Sequence, residues 1–238
     1  FIKDAFKKGA SLSIVNKINK REPESKQIKV KNTLNFLTKV SSITRNNSKS
    51  KIIAITGSCG KTSLKDLLGK IFSKFGKTTY SKRSFNNKYG VPLSLFNLSP
   101  DNDYGIFEVG MDKKGEIKNL TKIIKPDVGV ITNISYAHAK NFDNIKQIAL
   151  AKAEIIENIK KNGYLILNAD DNFYKLHKKI GLSLKLKIYS FSIKKKQSNV
   201  RLLSIKKTGN QFRINVIINN KKKSFIISTC FEIKTCGI

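Results

Sequence analysis

The tripeptide glycine-lysine-threonine occurs twice in this 238-residue chain, and the first copy, Gly60-Lys61-Thr62, has the residue types that can hold a phosphate chain. Backbone N–H groups of such a loop wrap phosphates, the lysine reaches the outer phosphates and the hydroxyl can bind Mg²⁺. The spacing is the short form Gly-x-x-Gly-Lys-Thr, since Ile55 stands where the common phosphate loop has glycine. The candidate nucleotide loop comprises Gly57, Ser58, Cys59, Gly60, Lys61, Thr62 and Ser63.

The two copies differ in what surrounds them. The first follows the apolar run "KIIAIT" and opens an amphipathic helical pattern, which is the strand–loop–helix setting that an anion site needs. The second, Gly76-Lys77-Thr78, follows a helical pattern and opens a strand, so that Gly76 fits a helix C-cap better than a phosphate loop. We therefore expect only the first copy to bind phosphate.

Polar residues at strand ends are the next candidates for chemistry. Glu108 ends the apolar run "GIFEVG", and His138 follows the next strand pattern along the chain. Both would lie at the carboxyl edge of a parallel sheet, where ligands of α/β proteins bind. For Glu108 an exposed strand-end carboxylate is an equal alternative on position alone. A lone histidine is more often structural, but the position of His138 beside the phosphate loop and Glu108 favours a metal or phosphate role.

Three further polar sites carry weaker signals. Lys152 is surrounded by small and apolar residues in "IALAKAEII", where a snorkelling lysine is the alternative to a functional one. Asn86 and Asn87 lie in a turn before Gly90 and Pro92, a common place for asparagine. The pair Asp170-Asp171 after "LILNA" is more consistent with turn formation than with ligand binding.

The elements that must position these residues follow an alternating pattern. From residue 51 strand patterns alternate with helical ones, which predicts βαβ units and an α/β fold with a mostly parallel sheet. After residue 183 four runs of alternating apolar and polar residues, with turns at Gly209-Asn210 and Asn219-Asn220, predict an appended antiparallel hairpin set. Residues 1 to about 40 form a small α/β unit, and the polar stretch 42–50 is predicted to be a linker.

The net charge is +31, from 47 basic and 16 acidic residues. Nucleic-acid binding is one explanation, and a compositional preference for lysine, asparagine and isoleucine is the other. The second is favoured because the lysines are scattered and only five basic residues are arginine, so no nucleic-acid partner is expected. No apolar run approaches the ~18 residues of a membrane span. The three cysteines, Cys59, Cys230 and Cys236, are odd in number and lack metal-ligand spacing. Cys230 and Cys236 could pair, but a reducing cytoplasm is the simpler interpretation.

Five stretches, in this order, resemble the Mur ligases, the ATP-dependent amino-acid ligases of peptidoglycan synthesis: "ITGSCGKTSLKDLL", "SFNNKYGVPLSL", "FEVGMDKKGEI", "PDVGVITNISYAH" and "AKAEII". The Asn-Asn-x-x-Gly-Val-Pro-Leu string is typical of the branch that adds D-Ala-D-Ala to UDP-MurNAc-tripeptide. The resemblance implies ATP and Mg²⁺ as cofactors, those two substrates as partners, an acyl phosphate intermediate and a cytoplasmic monomer.

The resemblance also assigns roles to residues. Lys61 would hold the β- and γ-phosphates and Thr62 would bind Mg²⁺, with Glu108 and His138 as metal ligands. Lys152 matches a family lysine that can carry a carbamate and could then bind a second Mg²⁺. Family resemblance places Asn86 and Asn87 along the substrate path, and Cys59 stands where the family often has asparagine.

The resemblance further predicts the domain organisation. Residues 1–45 would be part of an N-terminal UDP-substrate-binding domain, and residues 46–238 the central ATP-binding domain. The start of the first domain, the end of the second and a C-terminal domain are expected to be missing, so that this piece alone would be an inactive ligase. Another Mur or folylpolyglutamate-type ligase, a P-loop kinase and a basic nucleic-acid-binding protein remain alternatives.

Overall fold

The computed structural model describes residues 1–136, 141–195 and 197–228. Its helices are α1 (Ile2–Lys7), α2 (Thr33–Asn47), α3 (Lys61–Phe72), α4 (Gly90–Phe96), α5 (Glu116–Ile124), α6 (Ile145–Glu157) and α7 (Tyr174–Ser183). Its strands are β1 (Ser13–Val15), β2 (Gln27–Lys29), β3 (Lys51–Thr56), β4 (Thr78–Tyr80), β5 (Tyr104–Glu108), β6 (Val128–Ile131), β7 (Tyr164–Asn168), β8 (Lys187–Ser192), β9 (Val200–Thr208), β10 (Gln211–Ile218) and β11 (Lys221–Ser228).

A nine-stranded sheet organises the molecule, in the order β11-β10-β9-β8-β7-β6-β3-β5-β4. The strands from β4 to β9 pair in parallel, and β9, β10 and β11 pair antiparallel. This arrangement confirms the predicted α/β class with a mostly parallel sheet and an antiparallel extension.

The central strand β3 lies between β5 and β6. The chain leaves β3 toward β4 and β5 on one side and returns to β6 on the other, which makes the carboxyl end of β3 a topological switch point, the usual ligand crevice of open α/β sheets. Strand β3 is a continuous apolar run because helices cover both of its faces, and five of its six residues are buried. Buried side chains form one large cluster around Ile52 and Phe107 and a smaller one around Ile55 and Ile106.

Two predictions of secondary structure and strand pairing were incomplete. Strand β8, the first of the four alternating runs, pairs in parallel with both β7 and β9 rather than forming a hairpin. Helix α7 makes the crossover from β7 to β8, and β9 pairs only with the last two residues of β8, Phe191 and Ser192. The second is helix α4, which follows the predicted turn at Asn86-Asn87 and was not predicted from the sequence. Pro92 is compatible with it because the first turn of a helix needs no N–H at that position.

The predicted linker at 42–50 is wrong. Helix α2 continues to Asn47, and Arg45 near its end is 4% exposed. The Arg45 guanidinium donates to the carbonyls of Ile124 (2.7 Å), Lys125 (3.0 Å) and Ser48 (3.1 Å), and burial lowers its pKa. Asn46, Asn47 and Lys49 do face solvent, but Arg45 satisfies buried carbonyl groups at the end of α5.

The N-terminal residues form a small unit in which β1 and β2 pair in parallel. Gln27 anchors the loop between them by donating to three backbone carbonyls and accepting from the Asn19 N–H at 2.9 Å. No helix of the described residues is long and apolar enough to cross a membrane.

Candidate active site

The first glycine-lysine-threonine copy connects β3 to α3 at the switch point. Gly60 has a φ of +81°, a left-handed conformation that favours glycine, and α3 begins at Lys61. The first N–H groups of a helix have no acceptor inside the helix, and they carry the positive end of its dipole. The loop therefore presents open donors where an anionic ligand can bind.

Gly57 allows the loop to pass close to the neighbouring strand. Its φ is +146°, and a Cβ atom there would lie 1.9 Å from the Thr132 hydroxyl oxygen. Only glycine fits this position, which accounts for the first glycine of the short motif.

The segment after β6, residues 132–135, holds the loop in shape. Asn133 accepts from the Ser58 N–H through its carbonyl and from the Cys59 N–H through its side chain, both at 2.9 Å. The Thr132 hydroxyl donates to the Cys59 carbonyl at 2.6 Å, and the Ser135 N–H donates to the Ser58 hydroxyl at 2.8 Å. The Ser58 and Cys59 amides are thus occupied, which leaves phosphate binding to the groups that follow them.

Two lysines share the Gly57 carbonyl. The ammonium of Lys61 donates to it at 2.9 Å and that of Lys152, on α6, at 3.0 Å. Lys152 is 1% exposed. Burial first, and the positive charge of Lys61 second, lower the pKa of Lys152 to about 8, against an opposing effect of Cys59. The structure therefore brings this helix lysine to the loop, with its ammonium buried rather than snorkelling to solvent.

Glu108 ends β5 beside Thr62. The carboxylate is 1% exposed and accepts from the Thr62 hydroxyl and from the Asn86 amide, both at 2.7 Å. The Ser84 hydroxyl lies 3.3 Å from that of Thr62. Hydroxyl and carboxylate oxygens are the hard donors that Mg²⁺ prefers, and Mg²⁺ commonly takes one or two protein ligands and completes its shell with phosphate and water. The donor set of Thr62 and Glu108 therefore fits this metal, although the described residues contain no cluster of three or more His, Cys, Asp or Glu.

The adjacent asparagines have different partners. Asn86 reaches Glu108, whereas the Asn87 side-chain oxygen accepts from the N–H groups of Tyr89 and Gly90 and shapes the entry to α4. A cavity of about 520 Å³ opens beside them, lined by Lys61, Asn86, Asn87, Lys88, Tyr89, Gly110, Met111, Asp112, Glu116, Asn119 and Leu120. Lys61 borders this cavity, so a ligand in it can reach the phosphate end of the loop.

Some predicted residues lie elsewhere. His138, Cys230 and Cys236 fall outside the described residues. Burial alone would raise the pKa of Asp170, but the three backbone N–H groups of residues 193–195 and the Ser192 hydroxyl that it accepts lower it overall. Asp171 accepts the Ile134 N–H at 2.7 Å. These contacts reach backbone far along the chain, and only Asp171, which accepts the Phe173 N–H at 2.8 Å, also makes the local contact of a turn former.

The second glycine-lysine-threonine copy does not form a comparable loop. Its glycine N–H donates to the Phe72 carbonyl at the end of α3, and Thr78 already belongs to edge strand β4. The Lys77 side chain is 72% exposed and pairs loosely with Asp101. No helix begins at this copy, in agreement with its rejection from the sequence.

Sequence reasoning missed several residues that shape the site. Thr132, Asn133 and Ser135 directly follow a strand pattern, and their position at the carboxyl edge of the sheet was a usable signal. Lys65 and Ser84 carried no signal, since lysine on an amphipathic helix and serine in a turn are ordinary.

The chain is similar to known proteins in both sequence and fold. The Mur ligase middle domain profile matches residues 55–231. The UDP-N-acetylmuramoyl-tripeptide–D-alanyl-D-alanine ligase of Rickettsia prowazekii (strain Madrid E) is 41% identical over 223 residues, which cover 93% of this chain and 49% of the relative. A crystal structure of MurF from Acinetobacter baumannii superposes with a TM-score of 0.82 at 28% identity, covering 95% of this chain and 49% of that one.

A structure of MurF ligase from Thermotoga maritima in complex with ADP has a TM-score of 0.80, covering 96% of this chain and 52% of that one. At 24% identity this likeness supports the fold alone. The chain spans about half the length of the curated relatives it matches.

Proposed function

The chain belongs to the Mur ligase family, and from that premise we propose that it supplies the ATP-binding part of a ligase that joins D-Ala-D-Ala to UDP-MurNAc-tripeptide. The observation that carries the proposal is the short nucleotide loop at the switch point, with Lys61 and Thr62 at the start of α3 and the buried Glu108 in contact with Thr62. The 41% identity to a curated ligase of this name favours this activity over that of a folylpolyglutamate-type ligase.

In the proposed reaction, a carboxylate oxygen of the tripeptide attacks the γ-phosphorus of ATP, and the bond to the bridging oxygen of ADP breaks. The amine of D-Ala-D-Ala then attacks the acyl phosphate carbonyl, phosphate leaves and the amine loses its proton. Both partners of the first step are anions, so neutralising charge is the main task of the protein. Lys61 is placed to supply it, by leaving the Gly57 carbonyl for the phosphates.

Magnesium would be held by Thr62 and Glu108, with His138 as a further ligand, and would screen the phosphate charge. Asn86 fixes the Glu108 carboxylate by donating to its other oxygen. The acyl substrate is assigned to the cavity beside Lys61 and the asparagine pair. These residues orient the carboxylate toward the nucleotide loop.

Lys152 is assigned as a carbamate site. A neutral lysine amine adds CO₂ and releases a proton, which converts a cation into an anion that could bind a second Mg²⁺. Its position supports this assignment, because the ammonium is buried and competes with Lys61 for one carbonyl. Carbamylation would replace that repulsion between two cations with an attraction.

The proposal includes the domain division at residues 45 and 46, with a UDP-substrate-binding unit before it. Helix α2 crosses this border and packs against α4 and α5, so the two units would share it. A monomer in the cytoplasm, with the two peptide substrates as its partners, completes the proposed setting.

The two tripeptide copies provide a matched experiment. K61A should weaken ATP binding roughly 30- to 100-fold, the equivalent of about 2–3 kcal/mol for a charge-assisted hydrogen bond, while K77A should leave it within about twofold. Isothermal titration of ATP with Mg²⁺ measures both variants. Equal effects of the two substitutions would contradict the assigned loop. The full gene product should release phosphate only with both peptide substrates present.

A further inference from the structure

Lys65 is a fully buried cation that the proposed mechanism does not use. It lies one helical turn beyond the nucleotide loop, and its side chain is 0% exposed. The ammonium donates to the carbonyls of Ser81 and Arg83, each at 2.7 Å, and pairs with the Asp66 carboxylate at 2.8 Å. Its three donors are thus matched by three acceptors.

Two of these acceptors belong to one stretch, residues 81–87, here called the bridging segment. It begins directly after edge strand β4, and Gly69 lets α3 approach that strand, since a Cβ at Gly69 would lie 2.7 Å from the Tyr80 ring. Arg83 has a φ of +48°, an uncommon conformation for a residue with a side chain. Lys65 binds the carbonyl of that strained residue, which keeps the conformation in place.

The other end of the bridging segment reaches the candidate metal ligands. Ser84 contacts the Thr62 hydroxyl at 3.3 Å, and the Asn86 amide donates to Glu108 at 2.7 Å. The Asn86 carbonyl accepts the Gly110 N–H at 2.8 Å, which joins the segment to the end of β5. The segment therefore connects Lys65 to both residues assigned to magnesium.

We propose that Lys65 is a positioning residue that holds the bridging segment so that Thr62 and Glu108 face the metal end of the nucleotide site. This role rests on the proposed function, because the metal is the Mg²⁺ that Thr62 and Glu108 would hold in the proposed ATP site. A methionine would fill the same space without the cost of burying a charge, so packing alone does not explain a lysine here. Unlike methionine, the ammonium binds the Ser81 and Arg83 carbonyls at the same time, and Arg83 has the strained backbone conformation.

The test compares K65M with D66N in the full chain. K65M keeps the length of the side chain and removes all three donors, whereas D66N changes only the half-exposed partner and retains an oxygen acceptor. ATP affinity is titrated with Mg²⁺ and again with EDTA. K65M should weaken binding about tenfold with Mg²⁺ and leave it within about twofold with EDTA, as expected when support of metal ligands is lost. D66N should resemble the wild type in both conditions.

Hydrogen exchange provides a readout that needs no metal. K65M should speed amide exchange of residues 82–86 about tenfold or more, while α5 keeps its protection. If K65M does not fold, K65Q, which retains amide donors for the carbonyls, should show intermediate changes in both measurements. Equal losses with Mg²⁺ and EDTA, or unchanged exchange in the segment, would overturn the positioning role. A wild-type chain whose ATP binding ignores Mg²⁺ would instead refute the proposed function, and the exchange data would still decide whether Lys65 holds the segment.

Discussion

At the scale of single residues, the candidate site depends on how few side chains can occupy its positions. Gly57 has no room for a Cβ, and Glu108 is buried with both oxygens bonded. Lys152 is the least ordinary of them, because a buried lysine beside a second cation is unfavourable unless it performs a task. Two neighbouring groups act on the pKa of Lys152 electrostatically: Lys61 lowers it and Cys59 raises it.

A carbamate on Lys152 gives a direct test at this scale. With ¹³C-labelled bicarbonate, the wild-type chain should show one protected carbamate carbon signal by NMR, because the amine is buried and its product would be shielded from water. K152R should lack the signal, since a guanidinium does not add CO₂. K161R, at an exposed lysine near the end of α6, is the matched control and should keep it. A signal that survives in K152R would reject the assignment.

At the scale of elements, α6 and α7 are joined by a buried histidine. His177 on α7 is 2% exposed, and its Nε2 lies 3.0 Å from the Ala149 carbonyl on α6. Burial lowers the pKa of His177 below its usual 6.5, and this outweighs the raising effects of the Ala149 carbonyl and of Asp171. The imidazole is therefore held neutral as the donor between the two helices.

This histidine predicts a pH dependence of stability. Between its lowered folded pKa and 6.5 the unfolded chain binds more protons than the folded one, so the free energy of unfolding should rise with pH through that window. Stability would be lost as pH falls below 6.5. H177Q, which keeps a donor toward Ala149, should remove this part of the pH dependence. Urea unfolding of both proteins between pH 5 and pH 7.5 measures it, and identical slopes would contradict the prediction.

At the scale of the whole molecule, the net charge of +31 is explained either by binding to a polyanion or by a compositional preference for lysine. Such a charge raises the affinity for any polyanion through counterion release, whatever the protein has evolved to bind. Nucleic-acid binding and ATP binding can be separated because the first uses the general surface and the second uses a loop with fixed donors.

We expect the two activities to respond differently to salt. Between about 50 and 200 mM salt, retention of a random DNA duplex should fall about a thousandfold or more, as for binding dominated by phosphate contacts. Binding of ATP with Mg²⁺ should change far less, since its contacts are few and partly buried. Filter binding and calorimetry measure the two. Salt-resistant DNA binding that K61A leaves unchanged would favour the nucleic-acid alternative.

The sequence by itself determined the α/β class, the choice between the two glycine-lysine-threonine copies and the turns of the last hairpins. These are local properties. The apolar period reports which face of an element is buried, and the strand–loop–helix setting of the first copy follows from the residues on either side of it. Glu108 could be placed at the carboxyl edge of the sheet for the same reason.

Only the tertiary structure decided which distant residues share the site. Cys59 and Asn133 are 74 residues apart, and they meet because β6 returns beside β3. Other features likewise depend on neighbours that no local pattern specifies. They are the parallel pairing of β8, helix α4, the buried Arg45 and the hydrogen bonds of Lys65 to the bridging segment. The sequence does not show whether a polar side chain will face water or bond a buried carbonyl, because the packing of distant elements decides its surroundings.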